Sequence, residues 1–82
     1  MKIHVRYFAS FKEIIGLSEE ILTMPEGATV ADVQATLLAR YPRLQPVIER
    51  CKCAVNRSYV PATTMLHEQD ELVFIPPIGG GR

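Results

Sequence analysis

Apolar and polar residues alternate from Lys2 to Phe8, with Ile3, Val5 and Tyr7 in one phase and Lys2, His4 and Arg6 in the other. A period of two predicts a half-buried strand. Phe8 breaks the alternation, because an aromatic ring takes a position of the polar phase. From Ala9 to Gly16 the period lengthens; Phe11, Ile14 and Ile15 predict a short helix, and Gly16 is a natural C-terminal stop. Glu20 to Met24 predicts a second strand, closed by the turn Pro25-Glu26-Gly27. Thr29 then stands three residues before Asp32, close to a capping box, although that motif prefers Glu or Gln in the second place. Val30, Val33, Leu37, Leu38 and Tyr41 follow at helical spacing until Pro42 ends the pattern.

Cys53 to Val55 predicts a strand that continues to Val60 through a turn at Asn56-Arg57-Ser58. Leu72 to Ile75 is the last strand, and it is apolar in both phases. Such a strand is either central or covered by a partner. Pro76-Pro77 stops it, since neither residue can donate to a ladder. The order predicts an α+β sheet with one main helix packed on one face. Ile3, Val5, Tyr7, Val33, Leu37, Leu72 and Phe74 are expected in a single core.

Composition narrows the class. Eighty-two residues suit one small domain, and 48% hydrophobic against 22% charged residues is too apolar for disorder. Nine basic and nine acidic residues cancel, which argues against generic binding to nucleic acid or to an anionic membrane. No stretch approaches the roughly 20 apolar residues of a membrane span. His4 and Arg6 interrupt the first apolar stretch, so it is no signal-peptide core. Two cysteines do not make a secreted disulfide framework. The expectation is a soluble, cytoplasmic domain over residues 1–77, followed by a flexible glycine-rich tail over residues 78–82.

That tail, Ile78-Gly79-Gly80-Gly81-Arg82, is where chemistry is expected. Three successive glycines cannot pack and lose much backbone entropy on ordering, so they suit a terminus that threads a channel too narrow for side chains. Extended, Ile78 to Gly81 would reach on the order of 13 Å into another protein. The rest of the inventory is thin. Cys51 and Cys53 would share one strand face, where a mutual disulfide is awkward. With only His4 and His67 as other soft ligands, far apart in sequence, they read as two half-buried thiols and not as a metal site. No nucleophile–base motif surrounds the two histidines or the three serines, and no glycine-rich loop joins a strand to a helix as a phosphate cradle would. Arg40, Arg43, Arg50, Lys52 and Arg57 stand against only Glu49 between positions 40 and 57. This concentration reads as a solvated face before it reads as a docking patch for an acidic partner.

Taken together, the residues resemble a known family. The resemblance runs through Val5-Arg6-Tyr7-Phe8-Ala9, Pro25-Glu26-Gly27-Ala28-Thr29-Val30 and Ala54-Val55-Asn56. It ends on Asp70-Glu71-Leu72-Val73-Phe74-Ile75-Pro76-Pro77-Ile78 running into Gly80-Gly81. The chain is similar to the small, sulfur-carrying subunits of molybdopterin synthase, which are ubiquitin-like β-grasp proteins. Two departures stand out: Gln69 where the family usually has glycine, and Arg82 after the Gly80-Gly81 on which the family normally ends.

The resemblance implies a carrier with no bound cofactor, acting as a co-substrate and not as an enzyme. An ATP-dependent adenylyltransferase, similar to those that activate ubiquitin, would adenylate the Gly81 carboxylate. Sulfur would then displace the adenylate to leave a thiocarboxylate, with Gly79 and Gly80 as the tail that delivers it. The thiocarboxylate would donate sulfur to a pterin precursor held by the molybdopterin synthase large subunit. Either Arg82 is first removed, which calls for a C-terminal processing protease, or this copy cannot be charged as it stands. Phe8, in the polar phase of the first strand, and Ile75, opposite in phase to Leu72 and Phe74, mark the sheet face opposite the helix as a partner surface; the resemblance adds Tyr59 to it, and Pro76, Pro77 and Ile78 extend the interface along the exit. Sulfur carriage for thiamine, cysteine or transfer-RNA thiolation is the nearest rival, and a ubiquitin-like interaction module that carries no sulfur is the other.

Overall fold

The computed structural model describes residues 1–77. Five strands form one sheet: β1 (Lys2–Tyr7), β2 (Glu19–Thr23), β3 (Lys52–Val55), β4 (Ser58–Val60) and β5 (Glu71–Ile75). Their order across the sheet is β2-β1-β5-β3-β4. The central pair β1 and β5 is parallel, and every other pairing is antiparallel. Helix α1 (Ala9–Ile15) lies in the connection between β1 and β2, and α2 (Val30–Arg40) is the main helix. A 3-10 turn (Pro42–Leu44) leads into α3 (Gln45–Ile48). This is the mixed sheet with one long helix on one face that the pattern predicts.

The helix ends follow local chemistry. The Thr29 hydroxyl accepts from the Asp32 N–H (3.3 Å), and the Asp32 carboxylate accepts from the Thr29 N–H (2.8 Å). Aspartate therefore closes a capping box here in place of the usual glutamate. Gly16 ends α1 at φ 86°, its N–H donating to the Lys12 carbonyl (2.8 Å).

All seven expected core residues are buried. Ile3, Val5, Tyr7, Leu72 and Phe74 point from β1 and β5 toward Val33 and Leu37 of α2. Phe11 of α1 stacks on Phe74 with centroids 5.4 Å apart. The Tyr7 hydroxyl donates to the Glu20 carboxylate (2.5 Å), which ties β1 to β2. Burial, and then that carboxylate, push the Tyr7 phenol well above its ordinary range.

Two further pieces of core come from segments that carry no sequence period. Leu44 and Ile48 reach the core from the 3-10 turn and α3. The connection from β4 to β5 buries Leu66, and its Ala62 and Thr64 carbonyls accept from the Ala31 (2.9 Å) and Val30 (3.0 Å) N–H groups. Those N–H groups belong to the first turn of α2, which has no partners of its own.

Candidate functional site

Among the described residues, no helix lies over the side of the sheet away from α2. The register puts Tyr59, Ala54, Val73 and Arg6 in one row across β4, β3, β5 and β1. Lys52 and Ile75 begin the next row. Phe8 keeps an extended backbone past the end of β1, so continuing the β1–β5 register by one residue sets it beside Ile75. Its ring lies 5.7 Å from the Arg6 guanidinium. Phe8 is 46% exposed and Tyr59 is 70% exposed, while Val73 and Ile75 are half-buried. With strands about 4.8 Å apart, Phe8 and Tyr59 are on the order of 14 Å from one another. Ile75 and Val73 hold the ground between them.

Sequence reasoning named Phe8, Tyr59 and Ile75 and missed Val73 and Ala54. Strand β5 is central, which answers one of its two predicted explanations, yet Val73 and Ile75 still meet solvent. The signal for Val73 was present in the apolar open-face phase of β5. Ala54 gave none, since a small residue becomes part of a face only through its register with Val73 and Tyr59.

Strand β5 ends in Pro76, half-buried, and Pro77, exposed. A groove of about 380 Å³ runs alongside, lined by Arg50, Lys52, Tyr59, Ile75, Pro76 and Pro77. The Lys52 ammonium lies 5.9 Å from the centre of the Tyr59 ring. Two of the basic residues between positions 40 and 57 thus flank the point where the chain leaves the sheet. Ile78, Gly79, Gly80, Gly81 and Arg82 lie outside the described residues.

The turn before β5 accounts for one departure from the family pattern. Gln69 stands at φ 70°, a left-handed backbone that favours glycine. Its side chain compensates: His4 Nε2 donates to Gln69 Oε1 (2.6 Å), and Gln69 Nε2 donates to Glu68 (3.1 Å). Asn56, also left-handed at φ 49°, donates to the Asp70 carboxylate (2.9 Å) and accepts from the Glu71 N–H (3.0 Å). The β3–β4 hairpin is thereby fastened to the start of β5, and the Ala54-Val55-Asn56 run has a structural reason. Glu68 accepts from the Lys2 N–H (2.9 Å), which holds its carboxyl below the ordinary range.

Among the described residues, no three His, Cys, Asp or Glu side chains gather as a metal site. No helix among them is long and apolar enough to cross a membrane.

A mixed five-stranded sheet with parallel central strands, one long helix across one face and an open apolar face on the other defines a ubiquitin-like β-grasp protein. The ThiS family matches residues 5–81, and the chain belongs to it. It is 36% identical over 83 residues to the molybdopterin synthase sulfur carrier subunit of Chlamydomonas reinhardtii, covering 99% of this chain and 100% of that one. Among solved structures it is similar to a molybdopterin converting factor subunit 1 from Pyrococcus furiosus, with a TM-score of 0.85, 29% identity, and 94% and 98% of the two chains covered. The same fold recurs, at 22% identity and a TM-score of 0.70, in the complex of subunits 1 and 2 of molybdopterin-converting factor from Helicobacter pylori, with 99% and 100% covered.

Proposed function

We propose that this chain is a molybdopterin synthase sulfur carrier subunit, with Gly81 as the residue that bears the sulfur. The observation that carries the assignment is the end-to-end correspondence with a protein of that name, 36% identical and covered completely. The geometry suits the role. A carrier must present its reactive end to two different proteins while its body stays unchanged. Here the strand that leads to the end is the centre of the sheet, anchored by β1 and β3 and by Phe74 in the core. The same strand carries Val73 and Ile75 on the open face, so the surface that docks and the end that reacts share one rigid element.

The tail chemistry runs in two displacements. The Gly81 carboxylate attacks the α-phosphorus of ATP on the activating enzyme, and pyrophosphate leaves. A sulfur nucleophile then attacks the acyl carbon, AMP leaves, and a thiocarboxylate remains. A bare carboxylate is a poor acyl donor, and adenylation supplies the leaving group. Arg82 follows Gly81, so the Gly81–Arg82 bond is cut first. A guanidinium in a channel shaped for glycine backbone would be a buried charge without a partner. The large subunit docks on Phe8, Val73, Ile75 and Tyr59, with Pro76 and Pro77 directing the tail through Ile78 into its pocket.

The test uses two forms of the chain, one ending at Gly81 and one retaining Arg82. Each is mixed with activating enzyme, ATP and a sulfur source, and its intact mass is followed. The Gly81 form should exchange one oxygen for sulfur, while the Arg82 form should do so only after losing the arginine. Equal sulfur uptake by the uncut Arg82 form would refute the assignment of Gly81. Failure of both forms would refute the carrier role.

A further inference from the structure

On the other side of Tyr59, a second groove of about 520 Å³ opens between α2 and the β3–β4 edge of the sheet. Its floor includes both cysteines. Gln34 of α2 places its side-chain amide 3.7 Å from Cys51 Sγ and 3.5 Å from Cys53 Sγ, so one N–H₂ group serves two sulfurs. Both thiols are reduced. They differ in access: Cys51 precedes β3 and is half-buried, whereas Cys53 lies within the strand and is 6% exposed. The Cys51 thiol also donates to the Ile48 carbonyl (3.2 Å), which fixes where its sulfur sits. Lys52 and Tyr59 line the groove beside them and bring a cation and an aromatic face.

We propose that Cys51 is a thiol-exchange site for small disulfides that carry a carboxylate, with Gln34 as its supporting donor and Lys52 as the group that recognises the acid. In the step, the Cys51 thiolate attacks one sulfur of R–S–S–R. A Cys51–S–S–R bond forms, the R–S–S–R bond breaks, and RS⁻ leaves to take a proton from solvent. One electron pair moves, the Cys51 sulfur is oxidised and the leaving sulfur is reduced. The groove volume falls within the range of small-molecule sites.

The environment supports the division of labour. A hydrogen bond from Cys53, and then the Gln34 amide, hold the Cys51 thiol below its ordinary range despite burial. The same contact and burial push Cys53 upward. One thiol lowered beside one raised suits a nucleophile and does not suit a two-thiolate metal clamp. Strand positions two apart have Cα atoms on the order of 6.6 Å from each other, near the upper limit for a disulfide. Cys53 is therefore a poor resolving thiol, and the mixed disulfide on Cys51 should persist.

The probes are oxidised glutathione and neutral hydroxyethyl disulfide, added to the whole chain near neutral pH and mapped by peptide mass spectrometry. Cys51 should gain the glutathione adduct about tenfold faster than Cys53. It should also react faster than the same residue in the urea-unfolded chain. Cys53→Ser should keep the Cys51 adduct, and Lys52→Gln should slow glutathione while leaving the neutral disulfide unchanged. Preferential reaction at Cys53, or a folded rate no faster than the unfolded one, would overturn the site. An equal effect of Lys52→Gln on both probes would overturn the recognition by charge.

Discussion

The two faces of this sheet are built from the same strands and differ in what covers them. On one, Ile3, Val5, Tyr7, Leu72 and Phe74 lie under α2 and are fully buried. On the other, Arg6, Val73, Ile75 and Ala54 occupy the alternate positions with no helix above among the described residues. Burial of an apolar side chain is worth about 1.5–3 kcal/mol, so the covered face accounts for stability. The open face leaves Val73 and Ile75 half in water, and in the proposed complex a second surface would cover them. One strand, β5, serves both: Leu72 and Phe74 face the helix while Val73 and Ile75 face outward. In the proposed complex, alternation along this one strand would separate folding from docking residue by residue.

The sharpest way to break this comparison is at the covered face. Leu37→Ala should cost about 2–5 kcal/mol in denaturant melts, because its position has no exposure and a cavity would remain. A change below about 0.5 kcal/mol would mean that the helix does not seal that face. On the open face the outcome should invert. Ile75→Glu should weaken binding of the large subunit by at least about 30-fold, read by calorimetry. Its cost in folding stability should stay below about 1 kcal/mol.

A residue on neither face should move stability less than Leu37 does, and in the other direction. Arg57 stands at φ 74° after Asn56 at φ 49°, a two-residue turn in which both positions are left-handed. Such turns favour Asn-Gly, so Arg57→Gly should raise stability by about 0.5–1 kcal/mol in thermal or denaturant melts. The smallest effect belongs to Glu68. Its carboxyl is held below the ordinary value of 4.5, so its contribution is present above that value and is lost as pH falls through the lower folded one. Glu68→Gln should therefore lower the melting temperature slightly near neutrality and flatten its fall as pH drops below the ordinary value of 4.5, so that the two forms converge in acid.

The parts of the fold with a period were legible in advance. Strand alternation in β1, the helical stripe of α2 and the glycine stop of α1 all lie where local pattern put them. The turn and α3 from Pro42 to Ile48 were not, because three or four residues are too few to show a period. Leu66 was invisible for a related reason: its burial comes from backbone bonds between a loop and the start of α2, which no local pattern encodes. Of the candidate interface, Phe8 and Ile75 could be read because each is apolar in a position where solvent was expected.

The sequence by itself determined the order of the strands and of the two longer helices, and the core stripe, since periodicity and capping residues are local properties. Only the tertiary structure decided which residues become neighbours. Val73 pairs with Ala54, Gln69 meets His4, and Cys51 and Cys53 share the amide of Gln34, through contacts that span from 17 to 65 positions. Strand order and register set these meetings, and both depend on how the covered face packs as a whole, not on any short segment read alone.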